Sequence, residues 1–190
     1  AEVCLVAIGV VPVLPGGNLP AFTERGWIQT GERYQTSMSG VYAIGDITGP
    51  PWLAHTAMFE AVQCVEGIFV EGCTPKLVET FPGCTYCYPE VASVGKTERE
   101  LREEGVALKV GKFPYQALGK AQAAGETDGF IKLIFGEEHG ELLGAHIIGA
   151  NATDLIAEMG LGLTLEATLE DFHATIHAHP TLTEGVHEAA

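Results

Sequence analysis

The sequence predicts an α+β chain, an antiparallel sheet with helices packed against it, preceded by a shorter piece of α/β character. Three observations predict this. Strand-like runs at residues 107–113, 130–135 and 142–148 follow one another, and only residues 137–140 separate the last two, which is hairpin spacing. A helical pattern of Leu155, Ile156, Met159 and Leu163 comes after those strands, and strands followed by helices describe an α+β unit. Upstream, continuous apolar runs and a long amphipathic stretch follow the pattern of a parallel sheet buried on both faces.

The bulk properties narrow the function classes. With 190 residues, 46% of them hydrophobic, the chain can bury a core and hold one large or two small domains. Asp and Glu number 25 against 10 Lys and Arg, and a net charge of -15 argues against nucleic acid or an anionic membrane as partner. No apolar run approaches the roughly 18 to 20 residues that span a bilayer. The five cysteines, Cys4, Cys64, Cys73, Cys84 and Cys87, are odd in number and irregularly spaced, which suits a reducing compartment and makes the cytoplasm the expected location. Cys84 and Cys87 form a C-x-x-C with no second pair at zinc-finger spacing, so metal or redox use is the lesser reading. The chain opens on an apolar run without an initiator Met, and we expect it to be a piece of something longer.

In chain order, residues 3–8 form an apolar run ending at Gly9, as in a buried parallel strand. A glycine at such a carboxyl end lets backbone approach a ligand in the crevice beyond the sheet. Residues 26–30 read as a short strand, and residues 41–44 as a second, buried strand that ends in Gly45-Asp46. Asp46 is then placed to accept from a ligand hydroxyl, or else to satisfy its own turn. Pro50 and Pro51 break the chain, and Ala54, Ala57, Met58, Ala61, Val62, Val65, Ile68 and Phe69 recur at helical spacing until Gly72. The amides at the start of that helix, around Trp52, Leu53, Ala54 and His55, point outward with the positive end of its dipole and suit an anionic group.

Residues 71–82, rich in Gly, Pro and charge, mark the expected boundary, giving domains 1–78 and 79–190. Beyond it, Val91–Gly95 suggests a strand, Thr97-x-x-Glu100 is a capping box, and Gly105 can end the short helix that follows. Gly160 and Gly162 in the later helix cost propensity, which suggests close approach of another backbone.

Near the end stands His177-Ala178-His179-Pro180-Thr181-Leu182-Thr183-Glu184. A histidine exchanges protons near neutrality, and a carboxylate five residues on can fix its tautomer, so His179 and Glu184 are candidate acid/base residues. Thr181 and Glu184 equally match an S/T-x-x-E capping box. His177, His173 and His55 carry no such pairing, and His177 with His179 falls short of a metal site.

Thr36-Ser-Met-Ser-Gly40-Val-Tyr-Ala-Ile-Gly-Asp46 with Leu53-Ala54-His55, then Pro89-Glu90-Val91-Ala92-Ser93-Val94-Gly95, then H-A-H-P-T-L-T-E stand in one order over nearly all 190 residues. In that order they resemble the flavin-dependent pyridine nucleotide-disulfide oxidoreductases, and the ending most closely resembles the dihydrolipoamide dehydrogenase branch. The resemblance implies an enzyme that moves electrons from a dithiol through a protein disulfide and FAD to NAD. It implies that residues 1–78 are the C-terminal remnant of a FAD/NAD-binding region and residues 79–190 an interface (dimerisation) domain pairing two subunits as a homodimer. Asp46 would bind the ribityl chain of FAD, the amides around Trp52, Leu53, Ala54 and His55 would face the flavin, and Gly9 would lie near the nicotinamide nucleotide. His179 would be the proton acceptor, oriented by Glu184. A lipoyl-bearing substrate and a 2-oxo acid dehydrogenase complex are the implied partners.

The chain departs from the family pattern at residues 10–13, Val-Val-Pro-Val where Arg-x-Pro-Asn is usual, and at Trp52, where Met is common. It contains no G-x-G-x-x-G, so by itself it is expected to retain neither FAD nor NAD and to be inactive. The competing readings are a glutathione or mercuric reductase, a dimerisation or docking module without catalysis, and a metal-binding protein using Cys84, Cys87 and the histidines.

Overall fold

The computed structural model describes Val13 and residues 16–190, so the strand expected at residues 3–8 and Gly9 lie outside the described residues. The chain divides into two units, Ala1–Glu79 and Thr80–Ala190.

In the first unit the strands expected at residues 26–30 and 41–44 are corrected to single bridges, Phe22 with Ile28 and Gln35 with Tyr42. A ladder needs a neighbour to extend along, and among the described residues neither segment has one. Val41 and Tyr42 are exposed, so the apolar run is not the doubly buried strand that its composition suggested. After Ile44 the chain turns into a 3-10 helix at Gly45–Thr48 that packs on α1 (Ala54–Phe69). Gly45 has a φ of +71°, a Cβ there would sit 3.1 Å from Ala57, and its N–H donates to Glu60 Oε2 at 2.6 Å. A glycine is what lets the turn approach the helix so closely. The helix itself is the one expected from its spacing, yet only Thr56 and Cys64 are buried along it. Its C-terminal end is tied by Arg33, which donates to Gly67 O at 2.7 Å and Cys73 O at 3.3 Å.

The second unit holds a five-stranded antiparallel sheet in the order β1 (Gly83–Thr85), β2 (Val91–Gly95), β5 (Leu142–Ile148), β4 (Phe130–Gly136), β3 (Leu108–Pro114). The hairpin between β4 and β5 is the expected one, with a register irregularity at Ile134/Phe135. Helix α2 (Glu98–Glu103) carries the expected capping box from Thr97 and Glu100. Two short helices escaped the sequence reading, α3 (Gly119–Ala124) and α5 (Leu169–Ala174), and a third, α6 (Glu184–Ala189), is signalled only by the capping-box pattern at Thr181 and Glu184. With six residues each they show too little periodicity to be read.

Ile131 and Leu133 on β4 and Ala145 and Ile147 on β5 form the floor of the core. Helix α4 (Ala152–Thr164) closes it with Ile156 and Met159, and α6 with Val186 and Ala189. Tyr115 is fully buried and donates its hydroxyl to Ala150 O at 2.9 Å, as a buried phenol requires. The close backbone contact expected at Gly160 and Gly162 is corrected: nothing among the described residues lies within 4 Å of a Cβ on Gly160, and Gly162 instead admits the ring of Phe172, whose Cζ would be 2.9 Å away. Backbone approaches occur at other glycines, among them Gly111 on β3, where a Cβ would overlap the Ala189 carbonyl of α6.

Hydrogen bonds hold five carboxylates of this unit below the usual range: Glu90 by Thr153, Glu98 by Lys132, Glu100 and Asp171 by their capping threonines, and Glu184 by the Thr181 amide. Burial pushes His146 below its ordinary 6.5, although its bond to Lys96 O opposes this. Both effects make the unfolded chain bind more protons than the folded one on acidification, so stability falls with pH. We expect the urea midpoint of this unit to decline as pH drops below 6.5 and again below 4.5. A His146→Asn variant should lose the first stage, and a midpoint that rises between pH 7 and about 5 would contradict the assignment.

Candidate active site

The His-Ala-His segment is a loop strung between two short helices, each fixed on the core. Helix α5 starts in a capping box that was not read from the sequence: Thr168 Oγ1 accepts from the Asp171 amide, and Asp171 Oδ2 accepts from the Thr168 N–H at 2.7 Å. Its Phe172 meets Phe135 edge to face with centroids 5.8 Å apart. At the other end α6 buries Val186 and Ala189, and Gly185 is pressed against Ile131 and Leu118, where a Cβ would lie 2.7 and 3.1 Å from their methyls. Glu184, the first residue of α6, is thereby held against the sheet.

Across this loop His179 Nδ1 lies 2.7 Å from Glu184 Oε1. The other oxygen, Oε2, accepts from the Thr181 N–H at 2.9 Å. One carboxylate therefore does both things that the sequence left as alternatives. The capping box is corrected to its carboxylate half only, because Thr181 Oγ1 donates to Ala178 O at 2.6 Å instead of receiving an amide, and the cap position of α6 is Thr183. The Thr181 amide, and after it His179, keep Glu184 ionised below the usual carboxylate range. An ionised carboxylate only accepts, so the His179 proton resides on Nδ1 and Nε2 carries a lone pair. The His179 side chain is 77% exposed and its Nε2 can meet an incoming group.

His177 points the other way. Its side chain is 6% exposed and its Nε2 lies 2.8 Å from Glu158 Oε1 on α4. Sequence reading had no signal for this pair, whose members are 19 residues apart. His187 rests beside both His173 and His177, with ring centroids 5.5 and 5.8 Å away. Among the described residues no group of three or more His, Cys, Asp or Glu could hold a metal ion. Cys84 and Cys87 are free, and burial pushes the Cys84 thiol up, opposite to the shift of a reactive thiolate.

In the first unit Asp46 lies in the 3-10 helix beside Gly45, exposed, with no described residue hydrogen-bonded to its carboxylate. Trp52, Leu53, Ala54 and His55 lead into α1, whose N-cap Leu53 supplies no side-chain acceptor to the first amides. Trp52 is 43% exposed and leans on Trp27 with ring centroids 5.6 Å apart. These groups fit a polyol and an anionic ring by their chemistry, an open acceptor and outward amides at the positive end of a helix.

Residues 81–190 match the family model described as pyridine nucleotide-disulphide oxidoreductase, dimerisation domain, and residues 1–61 match pyridine nucleotide-disulphide oxidoreductase. A dihydrolipoyl dehydrogenase of Chlorobaculum parvum is 46% identical over 193 residues, covering 100% of this chain and 41% of that protein. One of Bacillus subtilis is 44% identical with the same coverage, and a leghemoglobin reductase of Glycine max is 43% identical, covering 100% of this chain and 37% of that protein. The chain thus spans about two fifths of the length of the curated relatives it matches. Among solved structures, the flavoprotein disulfide reductase RclA of Escherichia coli and LpdA of Mycobacterium tuberculosis each superpose with a TM-score of 0.83 at 22% identity. These cover 90% of this chain and 39% and 37% of theirs, and they show the shared fold.

Proposed function

Because the chain belongs to the pyridine nucleotide-disulphide oxidoreductase family, we propose that it is the C-terminal part of a dihydrolipoyl dehydrogenase in which His179 accepts the proton of a substrate dithiol. The observation that carries this reading is the 2.7 Å pairing of an exposed imidazole with Glu184 in the unit that matches the dimerisation model. The identity of 43 to 46% with proteins named dihydrolipoyl dehydrogenase, along the whole chain, supports a dithiol as the substrate class.

The chemistry follows from the geometry. A thiolate, not a thiol, attacks a disulfide, so a base beside the thiol speeds exchange. With Nδ1 held by Glu184, the Nε2 lone pair of His179 takes the thiol proton, and the ionised carboxylate stabilises the imidazolium that forms. The thiolate would attack a protein disulfide outside this chain, breaking its S–S bond to form a mixed disulfide, and the second thiol, on losing its own proton, would displace that bond, closing the dithiol to a disulfide and leaving the protein pair reduced. A bound FAD would supply the two-electron chemistry that links a protein disulfide of the longer relatives to NAD. Asp46 would hold the ribityl hydroxyls, and the amides at Leu53 and Ala54 the electron-rich edge of the ring. Trp52, supported by Trp27, forms an aromatic wall beside those amides.

The second unit acts as the pairing surface of a homodimer in this reading. Ile176 is 96% exposed immediately before the His-Ala-His loop, and Leu161 and Leu165 at the end of α4 are 60% and 69% exposed. In this reading these exposed apolar side chains contribute to the pairing surface. A lipoyl-bearing domain of a 2-oxo acid dehydrogenase complex is the proposed substrate carrier. The test is sedimentation of residues 81–190 at tens of micromolar: a dimer is expected, and Ile176→Asp should shift it toward monomer. A monomer before substitution would count against the pairing role.

A further inference from the structure

His177 stands two residues before His179 and is the better-held ring of the two. Its Nδ1 is 3.1 Å from Thr175 O and its Nε2 is 2.8 Å from Glu158 Oε1, with the side chain 6% exposed. A carbonyl oxygen only accepts, so Nδ1 is the donor toward Thr175 O, and Nε2 faces the Glu158 carboxylate across 2.8 Å. A ring bonded at both nitrogens and enclosed on its sides cannot turn without losing both bonds. The anchor is itself rigid: Glu158 lies between Ala157 and Met159 on α4, and Ile156 and Met159 of that helix are buried in the core. The loop is thus tied to the core at a point between its two terminal helices.

We propose that His177, held by Glu158 and Thr175, is a positioning residue that aims His179 at the substrate thiol. With one residue between them, the two histidine backbones are at most about 7 Å apart, so a displaced His177 carries His179 with it. A misplacement on the order of 1 Å is enough to cost a proton-transfer geometry most of its rate. The groups facing His177 are Glu158 from α4 and the His187 ring from α6, and the charge of His177 is also felt by Glu184. None of these replaces Glu158 as a hydrogen-bond partner of Nε2. The inference rests on the reading of His179 as proton acceptor, and two arms keep them apart.

The first arm needs no catalysis. In the 190-residue chain, nitrogen-15 spectra of the imidazoles should show an exchange-protected ring N–H for His177. Glu158→Leu should abolish that protection and also shift and broaden the His179 ring signals, although Glu158 has no hydrogen bond to His179. Glu158→Gln, which retains a hydrogen-bonding group, should restore both. In the second arm, a chain of the relatives' full length carrying Glu158→Leu or His177→Phe should lose about tenfold in kcat with KM within about twofold, the pattern of lost orientation. If His177→Phe fails to fold, Glu158→Leu carries the test, at a side chain 33% exposed. Unchanged His179 signals together with unchanged kcat in Glu158→Leu would overturn the inference. Should His179→Gln itself leave turnover intact, the proton-acceptor reading falls instead, and the spectra alone still decide whether Glu158 governs His179.

Discussion

Replacing His179 with glutamine in a chain of the relatives' full length is expected to lower dithiol oxidation by about a hundredfold or more, the usual cost of losing a general base. Glutamine keeps the size and a polar end but has no lone pair able to accept a proton near neutrality. KM for the dithiol should move little, because the proton is transferred on the way to the transition state and not on binding. Glu184→Gln should cost less, about tenfold, since its amide oxygen can still accept from His179 Nδ1 while its charge is lost. Because Glu184 Oε2 also accepts from the Thr181 amide at 2.9 Å, this variant should show a modest stability loss as well. Stopped-flow flavin reduction and urea unfolding separate the two effects. A Glu184→Gln protein that is destabilised but turns over normally would reduce Glu184 to a cap. Tolerated His179→Gln with a crippled His177→Gln would mean that the histidines have been assigned in the wrong order.

Substitution of Gly185 by leucine should do damage from inside the core. A Cβ at this position would meet Ile131 Cδ1 at 2.7 Å and Leu118 Cδ1 at 3.1 Å, and Ile131 is fully buried. Overpacking of this kind costs about 1 to 3 kcal/mol. The strain cannot be relieved into the sheet, whose Ile131 is packed in the central cluster, so α6 should lift. Lifting α6 carries Glu184 away from His179, and turnover should fall along with stability. Gly185→Ala adds only the Cβ and should lie between the two. The measurement is thermal unfolding beside the His179 ring signals: a Gly185→Leu protein with wild-type stability and unchanged signals would show that the site does not depend on the seat of α6.

Several features were legible without coordinates because they depend on neighbours in sequence. The α1 helix follows from apolar spacing, the β4–β5 hairpin from two strand-like runs and a short turn, and the α2 start from Thr97 and Glu100. The family motifs, the His179–Glu184 spacing and the excess of acidic residues are likewise local or compositional. The run at residues 41–44 misled because an apolar stretch states that a segment can be buried, not that a strand lies beside it.

What the tertiary structure alone decided is everything that depends on which distant groups meet. Glu184 serves both His179 and the Thr181 amide because the turn brings the two donors to opposite oxygens of one carboxylate. His177 faces inward because Glu158, 19 residues earlier on α4, is carried to it by a helix seated through Ile156 and Met159. Gly162 makes room for an aromatic ring and Gly111 for a carbonyl, a distinction set by packing partners that neither glycine's sequence neighbours reveal. A sequence of this kind determines which residues can bear a proton or fill a core, and the folded chain determines which oxygen each nitrogen finds, since hydrogen bonds act over about 3 Å and those distances exist only after the elements are packed.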